Sequence, residues 1–299
     1  MSGGASIPPW PRDPGPPPGT PTALAVHGPV EFYNVERYAL PAKLENAKFA
    51  LAISDFGRGQ LMWFTESDRW PHLHVVHCGV DPSVYVPAER SEAEDVVTIL
   101  SVGRLIHGKG LSILLEAMGS LLEKRLPIRL VVVGDGPARA DFEQAAQTLG
   151  LEDAVDFVGA VGQDEIRSYY SAVDIFCLPS FAEGIPVVLM EAMAMEVPVV
   201  STAIMGIPEL ITSGVNGLLV APGRSDLLAD AIESLIRSPQ MRRRMGQAGR
   251  QKVVQEFDVR QSALRLKEIF ARELSSSPQE EPASAAVPSP AERSSSVSL

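Results

Sequence analysis

Between residues 97 and 255 the sequence alternates short apolar runs with amphipathic segments. The run VTILSV is rich in β-branched residues, and GLSILLEAMGSLLEKR follows it with apolar residues at helical spacing. The later runs RLVVVGDG, AVDFVGA, DIFCLPS, VPVVSTA and GLLVAPG continue the alternation. Strands of this kind that alternate with helices form parallel sheets covered on both faces. The pattern therefore predicts an α/β, Rossmann-like domain over residues 91–255, followed by a C-terminal helix over 256–274.

Upstream of that domain, three shorter apolar runs predict a second, smaller α/β unit over residues 24–90. ALAVHG, KFALAISD and HLHVVHCGVD look like buried strands, and PAKLENA looks like a helix between the first two. PAERSEAEDV, which is polar and charged, is predicted to link the two units.

The two ends of the chain differ from its middle. Eight of the first 23 residues are proline, which neither pairs in a central strand nor propagates a helix. Residues 275–299 are rich in Ser, Pro, Ala and Glu and nearly free of large apolar side chains. We therefore predict a disordered proline-rich leader over 1–23 and a disordered tail over 275–299.

Charge and cysteine content narrow the class of protein. The formal net charge is −11, with 37 acidic and 26 basic residues, which argues against a nucleic-acid partner. Cys78 and Cys177 lie inside apolar runs, which favours buried, reduced thiols over a disulfide. No apolar stretch approaches the roughly 20 residues of a membrane span, and no secretory signal is visible. A cytoplasmic protein is predicted, and attachment to the inner membrane surface is compatible with this pattern.

Ligands of open parallel sheets bind beyond the carboxyl ends of the strands, and three loops there carry suitable residues. SVGRLIHGKG places Gly103 and Arg104 at a strand end, with Lys109 near the start of the next helix. Two cations at one strand end can neutralise a diphosphate, although they could equally be solvated surface residues. The glycines of VVVGDGP, Gly134 among them, either admit a ligand close to the backbone or form a tight turn. FVGAVGQ could present backbone groups to a base.

The segment PSFAEGIPVVLMEAMA predicts an anion site at a helix N-terminus. Pro186 fits the first turn of a helix, where its missing N–H has no cost. The N–H groups around Gly184, Ile185 and Val187 would then be free to bind an anion.

Two carboxylates flank that helix start. Glu183 precedes the helix, and Glu191 lies on it within a wholly apolar run. A carboxylate in such surroundings needs strong hydrogen-bond donors, and the vicinal hydroxyls of a ribose and a hexose would serve. Alternatively, Glu183 stabilises the helix electrostatically and Glu191 pairs with a lysine or arginine.

With these segments in this order, the sequence resembles the large group-1 family of retaining GT-B glycosyltransferases. The resemblance covers about residues 24–272 and is strongest over 97–222, where two glutamates separated by seven residues stand in EGIPVVLMEAMA. It implies that Arg104 and Lys109 hold the donor diphosphate, that Glu183 contacts the transferred sugar and that Glu191 grips the ribose.

The resemblance also assigns residues on the far side of the cleft. His27, in VHGPVEFY, matches a histidine at a strand end that faces the sugar, although an isolated histidine is often only structural. Met205 and Gly206, in STAIMGIPEL, match a loop that faces the donor.

The activity implied is transfer of a sugar from a nucleotide-diphosphate sugar, with retention and without a bound metal ion or other cofactor. The implied mechanism is front-face attack by the acceptor, with the leaving phosphate accepting the proton. The acceptor would be a sugar or a lipid-linked molecule in polysaccharide or glycoconjugate biosynthesis, which would allow peripheral membrane contact.

The sequence departs from the family pattern in its first domain. Only the last part of the usual N-terminal domain is recognisable, so the resemblance implies an intact C-terminal domain with an incomplete, N-terminally truncated partner. Two hypotheses follow, an active glycosyltransferase and a non-catalytic nucleotide-sugar-binding remnant. A GT-B sugar epimerase is a weaker third hypothesis.

Overall fold

The computed structural model describes residues 20–87 and 96–275 of the 299. Most of the predicted leader and linker, and nearly all of the predicted tail, lie outside the described residues.

The described residues form nine strands in two parallel sheets, in the orders β1-β2-β3 and β6-β5-β4-β7-β8-β9. The strands are β1 Ala23–Val26, β2 Phe49–Ala52, β3 Leu73–Val75, β4 Val97–Val102, β5 Ile128–Val133, β6 Val155–Gly159, β7 Ile175–Leu178, β8 Val199–Thr202 and β9 Leu218–Val220.

The same residues form twelve α-helices, together with short 3₁₀ turns at Ser67–His72 and His107–Lys109. The helices are α1 Val30–Tyr33, α2 Val35–Tyr38, α3 Leu40–Asn46, α4 Asp55–Trp63, α5 Leu111–Glu123, α6 Arg139–Thr148, α7 Ile166–Ser171, α8 Val187–Ala194, α9 Ile207–Leu210, α10 Ser225–Ile236, α11 Pro239–Glu256 and α12 Val259–Ser275. In this part of the chain, no helix is long and apolar enough to cross a membrane.

The six-stranded sheet is doubly wound, as the alternating pattern predicts. The chain runs outward from β4 through β5 to β6, then returns to the other side of β4 and continues through β7, β8 and β9. Because the direction of winding reverses between β4 and β7, the loops that follow these two strands diverge and leave a crevice at the carboxyl edge. The loop after β4 carries Arg104, and the loop after β7 carries Glu183.

Both faces of this sheet are covered, because successive side chains of its central strands point to opposite faces. Ile99 packs into a cluster formed with helices α5, α6 and α10. Its neighbour Leu100 packs into a second cluster, formed with α7, α8 and α9. Each face therefore has its own extensive apolar core.

The three-stranded sheet is smaller and depends on a helix from the far end of the chain. One face packs on α3 and α4 in a cluster of seven buried residues. On the other face Phe49 meets Phe270 of α12 edge-on, with ring centroids 5.0 Å apart, and Ile269 packs beside it. Helix α12 therefore covers the second face of the small sheet.

A buried carboxylate fixes α12 in that position. Glu273 of α12 accepts hydrogen bonds from Nδ1 of His72 at 2.9 Å and from Nε2 of His74 at 2.8 Å. Arg272 approaches the other ring nitrogen of His74 at 3.3 Å. Because a guanidinium only donates, that nitrogen must accept, so His74 is neutral here. Burial lowers the pKa of His74 despite the neighbouring carboxylate.

Candidate functional site

A cavity of about 340 Å³ opens at the carboxyl edge of the large sheet, between the loops after β4, β5 and β6 and the start of α8. It is the crevice that the strand order creates. The predicted donor-binding residues that line it are Gly103, Arg104, Gly134, Val187 and Glu191. Residues 160–163, from FVGAVGQ, form part of its wall.

Glu191 lies at this cavity on helix α8 and is only 6% exposed. Its Oε1 accepts a hydrogen bond from the hydroxyl of Tyr85 at 2.6 Å, and its Oε2 accepts one from the hydroxyl of Tyr170 at 2.8 Å. These partners differ from the lysine or arginine considered as an alternative, so that alternative is wrong. The buried carboxylate has neutral donors on both oxygens.

The glycines at the strand ends are required by contacts within the protein backbone. Gly134 has a φ of +134°, and a Cβ there would lie 1.9 Å from the carbonyl oxygen of Gly103. A Cβ at Gly136 would lie 2.4 Å from the carbonyl oxygen of Leu105. The loops after β4 and β5 therefore pack backbone against backbone, and this packing explains the two glycines of VGDG without any ligand.

The start of α8 differs slightly from the prediction. Pro186 is extended, with a ψ of 124°, and occupies the N-cap position, so the helix begins one residue later, at Val187. The side chain of Ile185 is buried in the core, which leaves only its backbone available to a ligand. Among the described residues, no acceptor pairs with the N–H groups of Gly184, Ile185, Val187 and Val188. Four free donors therefore cluster at this helix N-terminus.

Glu183 stands just before these donors and pairs with Lys109. The ammonium of Lys109 lies 2.6 Å from its Oε1, and the hydroxyl of Ser180 donates to the same oxygen at 2.8 Å. The side chain of Lys109 is 31% exposed, whereas that of Glu183 is 10% exposed. Lys109 lies in the 3₁₀ turn that precedes α5, so this ion pair connects the two loops that diverge from β4 and β7.

On its other side the Glu183 loop touches the small sheet. A Cβ at Gly184 would lie 2.7 Å from the carbonyl oxygen of His27 and 2.7 Å from Cδ1 of Ile53. His27, Glu183 and Met205 line one narrow space there, of about 10 Å³. The predicted residues from both units are therefore brought together where the two units meet.

The loop after β8 completes this junction. Met205 adopts a left-handed conformation with a φ of +45°. A Cβ at the next residue, Gly206, would lie 2.5 Å from the carbonyl oxygen of Gly184. Because backbone strain at a non-glycine residue persists only where its surroundings impose it, this loop is closely packed against the Glu183 loop.

The imidazole of His27 is exposed and has a sulfur neighbour. Sγ of Cys78, from the segment after β3, lies 3.9 Å from its Nδ1. Cys78 is half-buried, so the prediction of a buried thiol is wrong for this residue, whereas Cys177 is buried as predicted. Burial raises the pKa of the Cys78 thiol. Both cysteines are free.

Glu209, on helix α9, links the large unit to the small one. Its two carboxylate oxygens accept from the backbone N–H groups of Asp55 at 2.8 Å and Phe56 at 2.9 Å, at the start of α4. Nε2 of His77 lies 3.4 Å from the same carboxylate. The negative charge at a helix N-terminus is electrostatically favourable.

The sequence analysis missed three contacts of the two glutamates, those of Tyr85 and Tyr170 with Glu191 and that of Ser180 with Glu183. The tyrosines that hold Glu191 are 106 and 21 residues away from it along the chain. A buried carboxylate needs donors, which points to tyrosines with apolar neighbours, but the pair Tyr169 and Tyr170 gives no sign of which one faces the core. Ser180 could have been found as a hydroxyl three residues before Glu183.

The chain is similar in sequence to known glycosyltransferases. The family model for group 1 glycosyl transferases matches residues 87–252. The amylovoran biosynthesis glycosyltransferase AmsK of Erwinia amylovora is 36% identical over 206 residues, which are 67% of this chain and 51% of AmsK. The chain spans about half the length of the curated relatives it matches.

Solved structures extend the likeness to both sheets. Anabaena HepE in complex with UDP and glucose aligns with a TM-score of 0.74 at 25% identity, over 84% of this chain and 71% of HepE. Sucrose-phosphate synthase from Thermosynechococcus elongatus aligns with a TM-score of 0.76 at 26% identity, over 85% and 68%. The predicted α/β, GT-B-like fold is confirmed. Since the family model also covers more than half of the sequence, the chain belongs to the group 1 glycosyl transferases.

Proposed function

We propose that this chain binds a nucleotide-diphosphate sugar and transfers the sugar to an acceptor with retention of configuration. The observation that carries the proposal is the placement of Glu183 just before the free N–H groups at the start of α8 and of Glu191 further along the same helix. Glu191 lies at the cavity, and Glu183 lies where the two units meet. A nucleotide sugar has hydroxyl groups at both ends of its diphosphate, so it can use both carboxylates at once.

The ribose end of the donor fits the cavity at Glu191. A carboxylate offers about four acceptor positions, and the two tyrosines occupy two of them. The remaining positions suit vicinal hydroxyls. HepE, one of the structural neighbours, has been solved in complex with UDP and glucose.

The diphosphate would lie between Arg104 and the start of α8. Arg104 lines the cavity, and the free N–H groups from Gly184 to Val188 are donors that favour negative charge. Lys109 has three N–H donors, of which one reaches Glu183, so the ammonium could contact a phosphate oxygen as well. We propose that these groups, without a metal ion or cofactor, stabilise the charge that develops on the leaving diphosphate.

The transferred sugar would occupy the junction between the units, where the space of about 10 Å³ would have to widen to admit it. Glu183 and Gly184 would contact it from the large unit, and His27 would face it from the small unit. The acceptor hydroxyl would attack the anomeric carbon from the same face as the leaving phosphate, and that phosphate would take the hydroxyl proton. In this mechanism the carboxylate of Glu183 orients the sugar without forming a covalent bond to it.

The acceptor class follows the relatives. AmsK is named for amylovoran biosynthesis and WcaL of Escherichia coli for colanic acid biosynthesis. We propose that this chain acts in polysaccharide or glycoconjugate assembly, on a sugar or lipid-linked acceptor.

The test is sugar transfer in the presence of excess EDTA. Purified chain is given isotopically labelled UDP-, GDP- and ADP-sugars together with sugar and lipid-linked acceptors, and the anomeric configuration of any product is read by NMR. We expect transfer with retention that Glu183→Gln abolishes, while Glu116→Gln, on the exposed face of α5, has no effect. Donor binding without any transfer, or transfer that survives Glu183→Gln, would refute the proposed mechanism.

A further inference from the structure

The two tyrosines that bind Glu191 are the feature of this molecule that the proposed chemistry leaves unexplained. Each gives its hydroxyl to a different oxygen of the carboxylate. Their rings are 6.4 Å apart and inclined at 71°. The carboxylate is thus held from two sides by groups that come from separate parts of the chain.

Tyr85 reaches Glu191 from the segment that follows the small sheet. Arg250 of α11 holds that segment, because its guanidinium donates to the backbone carbonyls of Tyr85 and Pro82. The same guanidinium donates to the carbonyl of Ala194, the last residue of α8. One arginine therefore fixes Tyr85 and the helix that carries Glu191 relative to each other.

Tyr170 reaches Glu191 from α7 and is fixed by packing. Its side chain is fully buried, and its ring lies 5.8 Å from that of Phe176 on β7. Burial and the negative charge of Glu191 raise the pKa of Tyr170 well above its ordinary value. Burial and the hydrogen bond to Glu191 likewise raise the pKa of Tyr85. Both hydroxyls therefore stay protonated, and both remain donors, at neutral pH.

A glutamate without such partners would bind two vicinal hydroxyls with little selectivity. The last torsion of its side chain is broad and roughly two-fold, so the plane of the carboxylate is weakly defined unless both oxygens are held. Hydrogen bonds at 2.6 and 2.8 Å to two anchored hydroxyls define that plane before any ligand arrives. A carboxylate that is already oriented loses less conformational freedom when a ligand binds to it.

We propose that Tyr85 and Tyr170 are positioning residues that orient Glu191 toward the two hydroxyls of a ribose and so set the preference for ribonucleotide over deoxyribonucleotide donors. The inference rests on the proposed function, because it requires that a nucleoside diphosphate bind at Glu191. It goes further in assigning the sugar selectivity of that site to two residues that need not touch the ligand.

The experiment measures a selectivity ratio. Calorimetry gives the Kd of whichever of UDP, GDP or ADP binds the intact chain, and the Kd of its 2′,3′-dideoxy form. We expect the wild-type chain to prefer the ribonucleotide. Tyr85→Phe and Tyr170→Phe should each weaken ribonucleotide binding by about three- to tenfold, the effect of one lost hydrogen bond, and leave the Kd of the dideoxy form unchanged.

The matched control is Tyr169→Phe, which removes a hydroxyl from the neighbouring position of α7 and should change neither Kd. Tyr85→Phe keeps the test informative if Tyr170→Phe lowers the melting temperature too far for measurement. If both ligands bind more weakly in parallel, the tyrosines only support the fold and the inference is overturned. If neither Kd changes, the inference is overturned as well. In both cases the proposed function stands. Absence of nucleotide binding by the wild-type chain would overturn both.

Discussion

The two sheets of this protein differ in how they are supported. The large sheet has an extensive apolar cluster on each face, and its strand-end loops lock together through glycine contacts such as that of Gly134 with Gly103. The small sheet has a cluster of seven buried residues on one face and is covered on the other by α12. Helix α4, which packs on the small sheet, is also bound at its start by the carboxylate of Glu209 from the large unit.

This difference separates two parts of the proposed chemistry. The groups for the nucleotide and diphosphate, namely Glu191, Arg104 and the start of α8, all belong to the elements of the large sheet, although Tyr85, which holds Glu191, comes from the segment after the small sheet. His27, the group that faces the sugar, belongs to the unit whose position depends on contacts from elsewhere in the chain. We therefore expect substitutions in the large unit to weaken nucleotide binding, and substitutions in the small unit to affect sugar transfer while leaving nucleotide binding intact.

The largest effect should come from breaking the loop packing of the large sheet. In Gly134→Ala the new methyl group would lie 1.9 Å from the carbonyl oxygen of Gly103, at a φ that disfavours side chains. We expect a loss in the free energy of unfolding on the order of 3 kcal/mol or more, the range of severe backbone strain. Urea denaturation measures it.

Gly119→Ala is the control for that variant. Gly119 lies inside α5, and a Cβ there would meet nothing within 4 Å. Since alanine is the better helix former by about 1 kcal/mol, this change should stabilise the chain. Equal destabilisation by both substitutions would show that the strand-end packing is not special.

A smaller effect is expected at the diphosphate. Arg104→Ala should weaken binding of a nucleoside diphosphate by about tenfold to a hundredfold, as expected for a hydrogen bond between charged groups. Binding of the bare nucleoside should be nearly unchanged. Calorimetry with both ligands measures the difference, and Arg129→Ala, an exposed position on β5, is the control. Equal weakening of both ligands would place Arg104 in the fold and not at the phosphates.

The smallest effect concerns the dependence of the small sheet on α12. Burial lowers the pKa of His74 below its ordinary 6.5. Burial opposes ionisation of Glu273, but hydrogen bonds from His72 and His74 outweigh it and lower the pKa of Glu273 below its ordinary 4.5. Both groups bind protons more readily when unfolded, so their contribution to stability is present above these ordinary values and is lost as the pH falls below them.

Hydrogen exchange of α12 tests that dependence. Between about pH 7.5 and 5.5, where histidine takes up its proton, exchange corrected for the intrinsic rate should become several-fold faster in α12 than in α5. His74→Gln should remove most of this difference. Uniform acceleration in both helices would indicate global destabilisation and refute a local role of the His74–Glu273 contact.

The large sheet could be predicted from sequence because its signals are local. The alternation of apolar strands and helices fixes a doubly wound parallel sheet, and the order of its loops brings Arg104 and Glu183 to one edge. The docking of α12 on the small sheet could not be predicted, because the pairing of Glu273 with His72 and His74 joins residues about 200 positions apart. The periodicity of a helix indicates an apolar face but does not identify the surface that it covers.

In the site too, some residues could be predicted from the sequence and others could not. Glu183 and Glu191 stand out because carboxylates are rare in apolar runs, but their partners follow from tertiary packing. Nothing in the sequence indicates that Lys109 pairs with Glu183 or that Tyr85 pairs with Glu191. The glycines of VGDG show why both explanations had to stay open, since a residue at a ligand-binding edge can be required by the fold as well.

The most direct test of the central claim compares one residue from each unit in a single binding assay. Glu191→Ala should raise the Kd of the nucleoside diphosphate by about tenfold or more, through lost hydrogen bonds to a charged acceptor. His27→Ala should leave that Kd unchanged, because the proposed function places His27 against the sugar and not against the nucleotide. Equal affinity of wild type and Glu191→Ala, or a loss in His27→Ala as large as that in Glu191→Ala, would contradict the claim that Glu191 binds the nucleotide and His27 does not.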